Sequence, residues 1–419
     1  MTSNGPGQTQ GTAAEDGSDW VGPLLAMLAV QTAVSFLSRI APTLAPILAP
    51  RIGWPVESVG YLSAMITGAS TIALLWGIPL IRRLGSMRNL QLGLALGVLG
   101  ALLSALPSAA ALVVGTLLIG LSIGPPSSAG MDVLQRFSPP RHRNLLFSVK
   151  QAGVPLGGVI AGLLMPWASQ ALGLGLAVTI AAALGALTLF AVQPLRARVD
   201  AARERTLRLH WQMFLSPDTL RRPLAVLVAM PALRRMGLAG GCLGASQGAW
   251  FAFLVTYLVI ELHWTLTAAG ALFALMQLVS VLGRPLAGFI SDRLGDGLRV
   301  LRWAVIGSGL TTLALAFCTP AWPTWSVIAL AVLAGLTVAS WNGVQFAEVA
   351  RLAPADTLNE TMTGATLLLL LAYVVGPAIF SLVVASGASF GAAFGVTALV
   401  TFSALWPLSR VKGHTLTPT

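Results

Sequence analysis

The chain has 419 residues, of which 56% are hydrophobic and only 9% charged, with a mean hydropathy of +0.81. Soluble domains carry about 25% charged residues, so no single water-soluble core hides this much apolar surface, and the chain reads as a polytopic membrane protein. Its net charge of +11 would suit nucleic acid, but where those charges fall excludes that partner.

Residues 1–19 are rich in Gly, Thr, Gln and Ser, with Glu15, Asp16 and Asp19. They read as a disordered cytoplasmic tail, and the missing basic start argues against a secretory signal. A membrane-spanning helix needs about 20 mostly apolar residues. Twelve runs qualify: 20–48, 56–81, 90–107, 109–133, 144–169, 172–194, 236–260, 266–290, 300–318, 324–349, 360–385 and 389–409. Only the connection at 195–235 is long. The chain therefore divides into a first six-helix bundle (20–194), a basic central loop (195–235), a second bundle (236–410) and a tail (411–419). The predicted fold is all-α, with twelve transmembrane helices in two pseudo-symmetric bundles.

Of the 25 Lys and Arg, 21 lie in alternate connections on one face. They include Arg82, Arg83 and Arg88 after the second span, Arg136, Arg141 and Arg143 after the fourth, and nine in the central loop. Arg51 alone marks the opposite face, and Arg39, Lys150 and Arg284 lie within spans. Excess positive charge marks the cytoplasmic side, so both termini are predicted there. The surroundings are a lipid bilayer, the cell's inner or plasma membrane. Cys242 and Cys318 sit in apolar runs and give no disulfide framework.

The third, sixth, ninth and twelfth spans have no ionisable residue in their interiors and suit a lipid-facing scaffold. Polar residues gather elsewhere. Arg39 shares a stripe with Gln31, Ser35 and Pro42. Lys150 and Gln151 open the fifth span, and Arg284 shares a helical face with Gln277 and Ser280. Each charge inside a bilayer costs on the order of 2.5–3.5 kcal/mol, so such residues usually face a wet cavity and act there. No acid lies at comparable depth: Glu57, Glu261, Asp132, Asp292 and Glu348 stand at span ends. Three cations without a fixed counter-ion point to an anionic solute, and arginine's fork suits a carboxylate. The alternatives at this stage are that Arg39 and Lys150 snorkel to water and that Arg284 braces a gate. Lys150 and Gln151 point about 100° apart, so one of them can face the cavity without the other. Gln247 and Trp250 in the seventh span, and Trp341, Asn342 and Gln345 in the tenth, are candidate lining, with plain packing open for the tryptophans. At the basic ends, Asp132/Arg136 and Glu348/Arg351 recur in matching places and suit a gate.

The link Gly288-Phe289-Ile290-Ser291-Asp292-Arg293-Leu294-Gly295 resembles the G-x-x-x-D-R-x-G signature of the major facilitator superfamily, found after its second and eighth spans. A degraded copy runs from Gly77 to Gly85, and Gly85 and Gly295 stand 210 residues apart. Arg82 replaces the acid there, so the resemblance gives a gating role only to Gly288, Asp292, Arg293 and Gly295. The fifth-span run from Ser148 to Gly158 is similar to the Ser-x-Lys-Gln-x-Gly-x-Pro-x-Gly stretch of bacterial facilitators of small anions. It echoes drug/proton antiporters more weakly. Arg284-Pro285-x-x-Gly288 is similar to the eighth-span arginine of facilitator monocarboxylate and oxalate carriers. The resemblance implies a monomeric secondary transporter of a small organic anion, by proton symport or anion exchange, with drug or metabolite efflux as the alternative. It implies no enzyme activity, cofactor or metal. Neither a His-Glu-x-x-His motif nor a phosphate loop occurs, and a receptor or embedded enzyme would need a paired catalytic set that the spans lack.

Overall fold

A computed structural model describes residues 20–137, 139, 146, 149–201, 203–204, 206–207, 210 and 218–411. Twelve helices are long and apolar enough to cross a membrane: Val21–Arg51, Val56–Gly77, Ser86–Ser104, Ala109–Phe137, Val149–Ala171, Leu174–Val199, Pro231–Ile260, Leu266–Leu294, Gly297–Ala316, Thr324–Leu352, Glu360–Ala385 and Phe390–Ser409. No strand occurs among the described residues. Leu99, Leu102, Leu187, Phe190, Leu310 and Leu399 are exposed. They belong to the third, sixth, ninth and twelfth spans, the four expected to face lipid.

The central segment is more ordered than a loop. A helix, Asp218–Ala229, packs against the eleventh span, and Arg222 pairs with Glu360 at 3.3 Å. The seventh span starts at Pro231, where proline at the first turn forfeits no helix bond. Arg234 and Arg235, placed in the central loop by sequence, therefore ride on this helix. Arg235 Nη1 donates to Arg410 O at 2.6 Å.

The first and tenth spans are interrupted near their middles, and both breaks have local causes. In the first span, Pro42 has no N–H to give Ser38 O, the bond a regular helix would make. The chain there divides into Val21–Ser38 and Ile40–Arg51, with Arg39 between them. Arg39 N–H reaches only three residues back, to Phe36 O at 3.1 Å. In the tenth span, Thr324–Thr337 and Asn342–Leu352 are separate helices. Between them Ser340 Oγ donates to Gly335 O at 2.6 Å, competing with the regular ladder.

The two six-span halves meet through the fifth span against the eighth and the second against the eleventh. These contacts are tightest at the end that carries Glu57. A Cβ on Gly162 would strike Gly270 O, and one on Gly270 would strike Gly162 O, so glycine at both positions permits the approach. Ser381 Oγ donates to Glu57 O at 2.6 Å, and Thr267 Oγ1 to Gln170 Oε1 at 2.8 Å. Gly68 in the second span and Gly288 in the eighth have open space where a Cβ would stand.

Candidate functional site

The break in the first span delivers Arg39 to the boundary between the halves, where its guanidinium lies 4.4 Å from the centre of the Phe251 ring. That cation–π contact joins the first span to the seventh. Arg39 Nε is buried and has no hydrogen-bond partner. Arg284, from the eighth span, comes within electrostatic reach of Arg39. Its Nε donates to Ala339 O at 3.2 Å, one of the carbonyls in the tenth-span break. Each arginine is thus positioned by an interruption in a helix, its own or its neighbour's. Broken helices of this kind recur at the midplane sites of transporters, where freed backbone groups meet the solute.

Tyr373 of the eleventh span completes the cluster. Its hydroxyl donates to Gln247 Oε1 at 2.7 Å and lies within reach of both arginines and of Asn342. Asn342 Oδ1 is buried without a partner, as are both polar atoms of the Gln277 amide. Gln277 occupies the space left by Gly158 of the fifth span. No carboxylate is among the groups acting on either arginine, and neither takes part in a salt bridge among the described residues. The result is two guanidiniums, one from each half, ringed by amides, a phenol and an aromatic face.

Of the other residues singled out from sequence, Lys150 falls outside this cluster. It is 3% exposed, packed against Gly130 of the fourth span near Met27 of the first. Met27 is twelve residues from Arg39, about 18 Å along a helix. Lys150 makes no salt bridge among the described residues either, and its Nζ lies 3.5 Å from Gln151 Oε1. Gln151 is the exposed member of that pair. The three intramembrane cations therefore form a pair and an outlier. Trp341 is buried, its indole donating to Val338 O at 2.9 Å. Trp250 is likewise buried, donating to Thr312 Oγ1 and packing edge-on against Phe394. Gln345 Nε2 donates to Met236 O at 3.3 Å, with the amide filling the space at Gly240.

The family model described as Major Facilitator Superfamily matches residues 24–301 and 236–417. The chain belongs to that superfamily. An uncharacterized MFS-type transporter of Mycobacterium tuberculosis (strain CDC 1551 / Oshkosh) is 24% identical over 336 residues, 80% of this chain and 72% of the relative. A second, from strain ATCC 25618 / H37Rv, is 25% identical over 72% of this chain and 65% of its own length. Among solved structures, a peptide transporter POT in complex with sulfate superposes with TM-score 0.73 at 17% identity, covering 93% of this chain and 94% of that one. The nucleoside transporter NupG gives 0.73 at 15%, covering 94% and 99%. These likenesses carry the facilitator fold.

The facilitator's expected gate residues lie at the basic end, paired within halves. Asp132 accepts from Arg136 and from Ser86 Oγ, and Arg136 also donates to Val199 O at 3.1 Å. Glu348 pairs with Arg351 at 2.6 Å, its carboxylate beside Gly297 at the start of the ninth span. The two acids thus hold equivalent corners of the two halves. Asp292 and Arg293 are exposed, and Arg293 stacks over Phe289 at 5.0 Å. Gly295 takes φ +62° and ends the eighth helix left-handed, as glycine does at helix C-termini. In the degraded first copy the missing acid is supplied from the central segment. Asp200 accepts from Met87 N–H at 2.8 Å and Arg88 N–H at 3.2 Å, and Glu204 pairs with Arg82 at 2.9 Å. Burial pushes the Asp200 carboxyl up, against the pull of those two N–H groups.

Proposed function

We propose that this facilitator is a secondary carrier of a small carboxylate-bearing anion, held between Arg39 and Arg284. The observation that carries this reading is the meeting of two acid-free arginines, one from each half, at helix breaks. Two like charges close together in a bilayer favour the arrival of an anion, and a carboxylate can take a forked pair of bonds from either guanidinium. Tyr373, Gln247, Asn342 and Gln277 would then read the rest of the solute. Lys150 and Gln151 stand away from first contact, and Trp341 and Gln345 serve the packing of the second half.

Transport is by alternating access. On this reading the halves, which touch at the Glu57 end, open at the basic end, facing the cytoplasm of the inner or plasma membrane. A solute touching Arg39 and Arg284 together draws the halves toward each other. On closing, the Asp132/Arg136 and Glu348/Arg351 corners, with Asp292 and Arg293 on the Gly288–Gly295 link, become the cytoplasmic gate. With no acid at the site, cargo and co-substrate compete for the same charges, which suits anion exchange or entry together with a proton. The carrier works as a monomer.

Proteoliposome uptake of labelled mono- and dicarboxylates tests this reading. Arg39→Ala and Arg284→Ala are expected to abolish uptake while insertion and yield hold. Normal uptake by both variants would refute it.

A further inference from the structure

A cavity of about 550 Å³ lies at the basic end of the first half, well away from the central pair. Three pieces of chain build it. Arg83 comes from the last turn of the helix that carries the second span, and Arg88 from the first turn of the third span. Leu92 comes from the third span itself. Leu189, Arg196 and Arg203 come from the end of the sixth span and the segment after it. Among the described residues, four guanidiniums line it and no carboxylate does.

Asp200 offsets Arg196 and Arg203 in part, but its oxygens are committed elsewhere. Its side chain is fully buried and its two oxygens accept from the Met87 and Arg88 N–H groups. Arg196 Nε stands 3.9 Å from it, beyond hydrogen-bond range, and is buried without a partner. Arg88 Nη1 donates to Gln91 Oε1 at 3.3 Å, and the Gln91 amide donates in turn to Leu189 O and Gln193 Oε1. The cavity is therefore braced by neutral groups around its positive charges.

Its remaining wall is apolar and runs upward. Leu92 continues along the third span through Ala95 to Leu99 and Leu102, a helical stripe exposed over its whole length. A soluble anion would meet the guanidiniums alone, with bulk lipid covering the stripe. A phospholipid would use both. Basic pockets between helices on the cytoplasmic side are suited to multiply charged lipid headgroups. Arg88, Arg196 and Arg203, less the charge of Asp200, leave about two positive charges, which two phosphodiesters match and one does not.

We propose that this cavity binds an anionic phospholipid whose headgroup carries two phosphodiesters, the phosphates among Arg88, Arg196 and Arg203 and the acyl chains along the Leu92–Leu102 stripe. Such a lipid fastens the start of the central segment to the first half. This site is independent of the central arginine pair and of the solute it carries.

The test uses the delipidated full chain in detergent, with native mass spectrometry and melting midpoints read against added lipid. The probes are tetraoleoyl diphosphatidylglycerol, phosphatidylglycerol, phosphatidylcholine and inorganic pyrophosphate. Diphosphatidylglycerol is expected to bind at least about tenfold more tightly than phosphatidylglycerol and to raise the melting midpoint, with phosphatidylcholine inert. The triple variant R88Q/R196Q/R203Q and the wall variant L92Q/A95Q should each lose at least about tenfold in affinity, while R293Q/R299Q in the second half stays unchanged. Should the triple variant aggregate, Arg203→Gln alone, outside the spans, is expected to weaken binding about threefold. Wild-type binding by the cavity variants would overturn the proposal. So would an equal loss in R293Q/R299Q, or a pyrophosphate shift as large as the lipid's.

Discussion

The two arginines at the centre of this protein and three of those at its basic rim are set in opposite ways. At the rim, Arg136, Arg351 and Arg82 are matched with Asp132, Glu348 and Glu204; the first two pairs lie within one helix end, and the third ties the second span's helix to the central segment. At the centre, Arg39 and Arg284 have an aromatic face, a backbone carbonyl, a phenol and amides around them, but no acid. A matched arginine fastens structure together, whereas an unmatched one leaves a charge for something mobile to meet. The difference is what the proposed solute site rests on.

Giving the centre an acid would erase the difference. Gln247→Glu places a carboxylate beside Tyr373 and within the arginine cluster. Anion binding is expected to fall about 100-fold or more, on the order of 3 kcal/mol, because the cargo's place is then filled. The melting midpoint should rise rather than fall. Unchanged binding in a radioligand assay would show that the arginines do not meet the solute.

At the rim, removing an acid should act on stability alone. Asp200→Ala strips Met87 and Arg88 N–H of their acceptor in a buried corner, a cost of about 1–3 kcal/mol. Asp200→Asn retains one acceptor and should cost less. Thermal melts of the two variants, with binding measured at a temperature where both are folded, separate this effect from function.

The depth of Arg39 and Arg284, and their lack of an acid, could be read from sequence, because a charge among twenty apolar residues stands out. The double bundle was equally legible, from twelve apolar runs and a basic mid-chain segment. Tyr373 was not. It is one of only three tyrosines in the chain, but it sits in an apolar run where hydropathy hides a single hydroxyl. The break in the tenth span was also missed, although Ser340 and Asn342 flank it and compete with helical bonding. Lys150 was grouped with the two arginines because sequence gives depth to within a turn but not which neighbouring helix a side chain meets. It turns toward Gly130 and Met27. Asp200 looked like an ordinary loop charge, since nothing local shows that it caps a helix more than a hundred residues earlier.

Smaller effects sharpen the contrast. Tyr373→Phe removes one hydrogen bond to Gln247 and one polar contact to the solute, so affinity should drop about three- to tenfold, roughly 1 kcal/mol, with stability nearly unchanged. Smallest of all are the exposed rim positions. Arg82→Ala, which removes a half-exposed pair with Glu204, is expected to lower the melting midpoint only slightly, and Asp292→Asn to leave it where it is, because solvent screens exposed charges.

Equilibrium binding of a labelled carboxylate and of its neutral amide analogue to the purified wild type, Arg39→Ala and Arg284→Ala tests the central arginine site most directly. The carboxylate should bind the wild type, lose at least about tenfold in each variant, and outcompete the amide throughout. Equal binding of carboxylate by all three proteins, or of amide and carboxylate by the wild type, would contradict an anion site at Arg39 and Arg284.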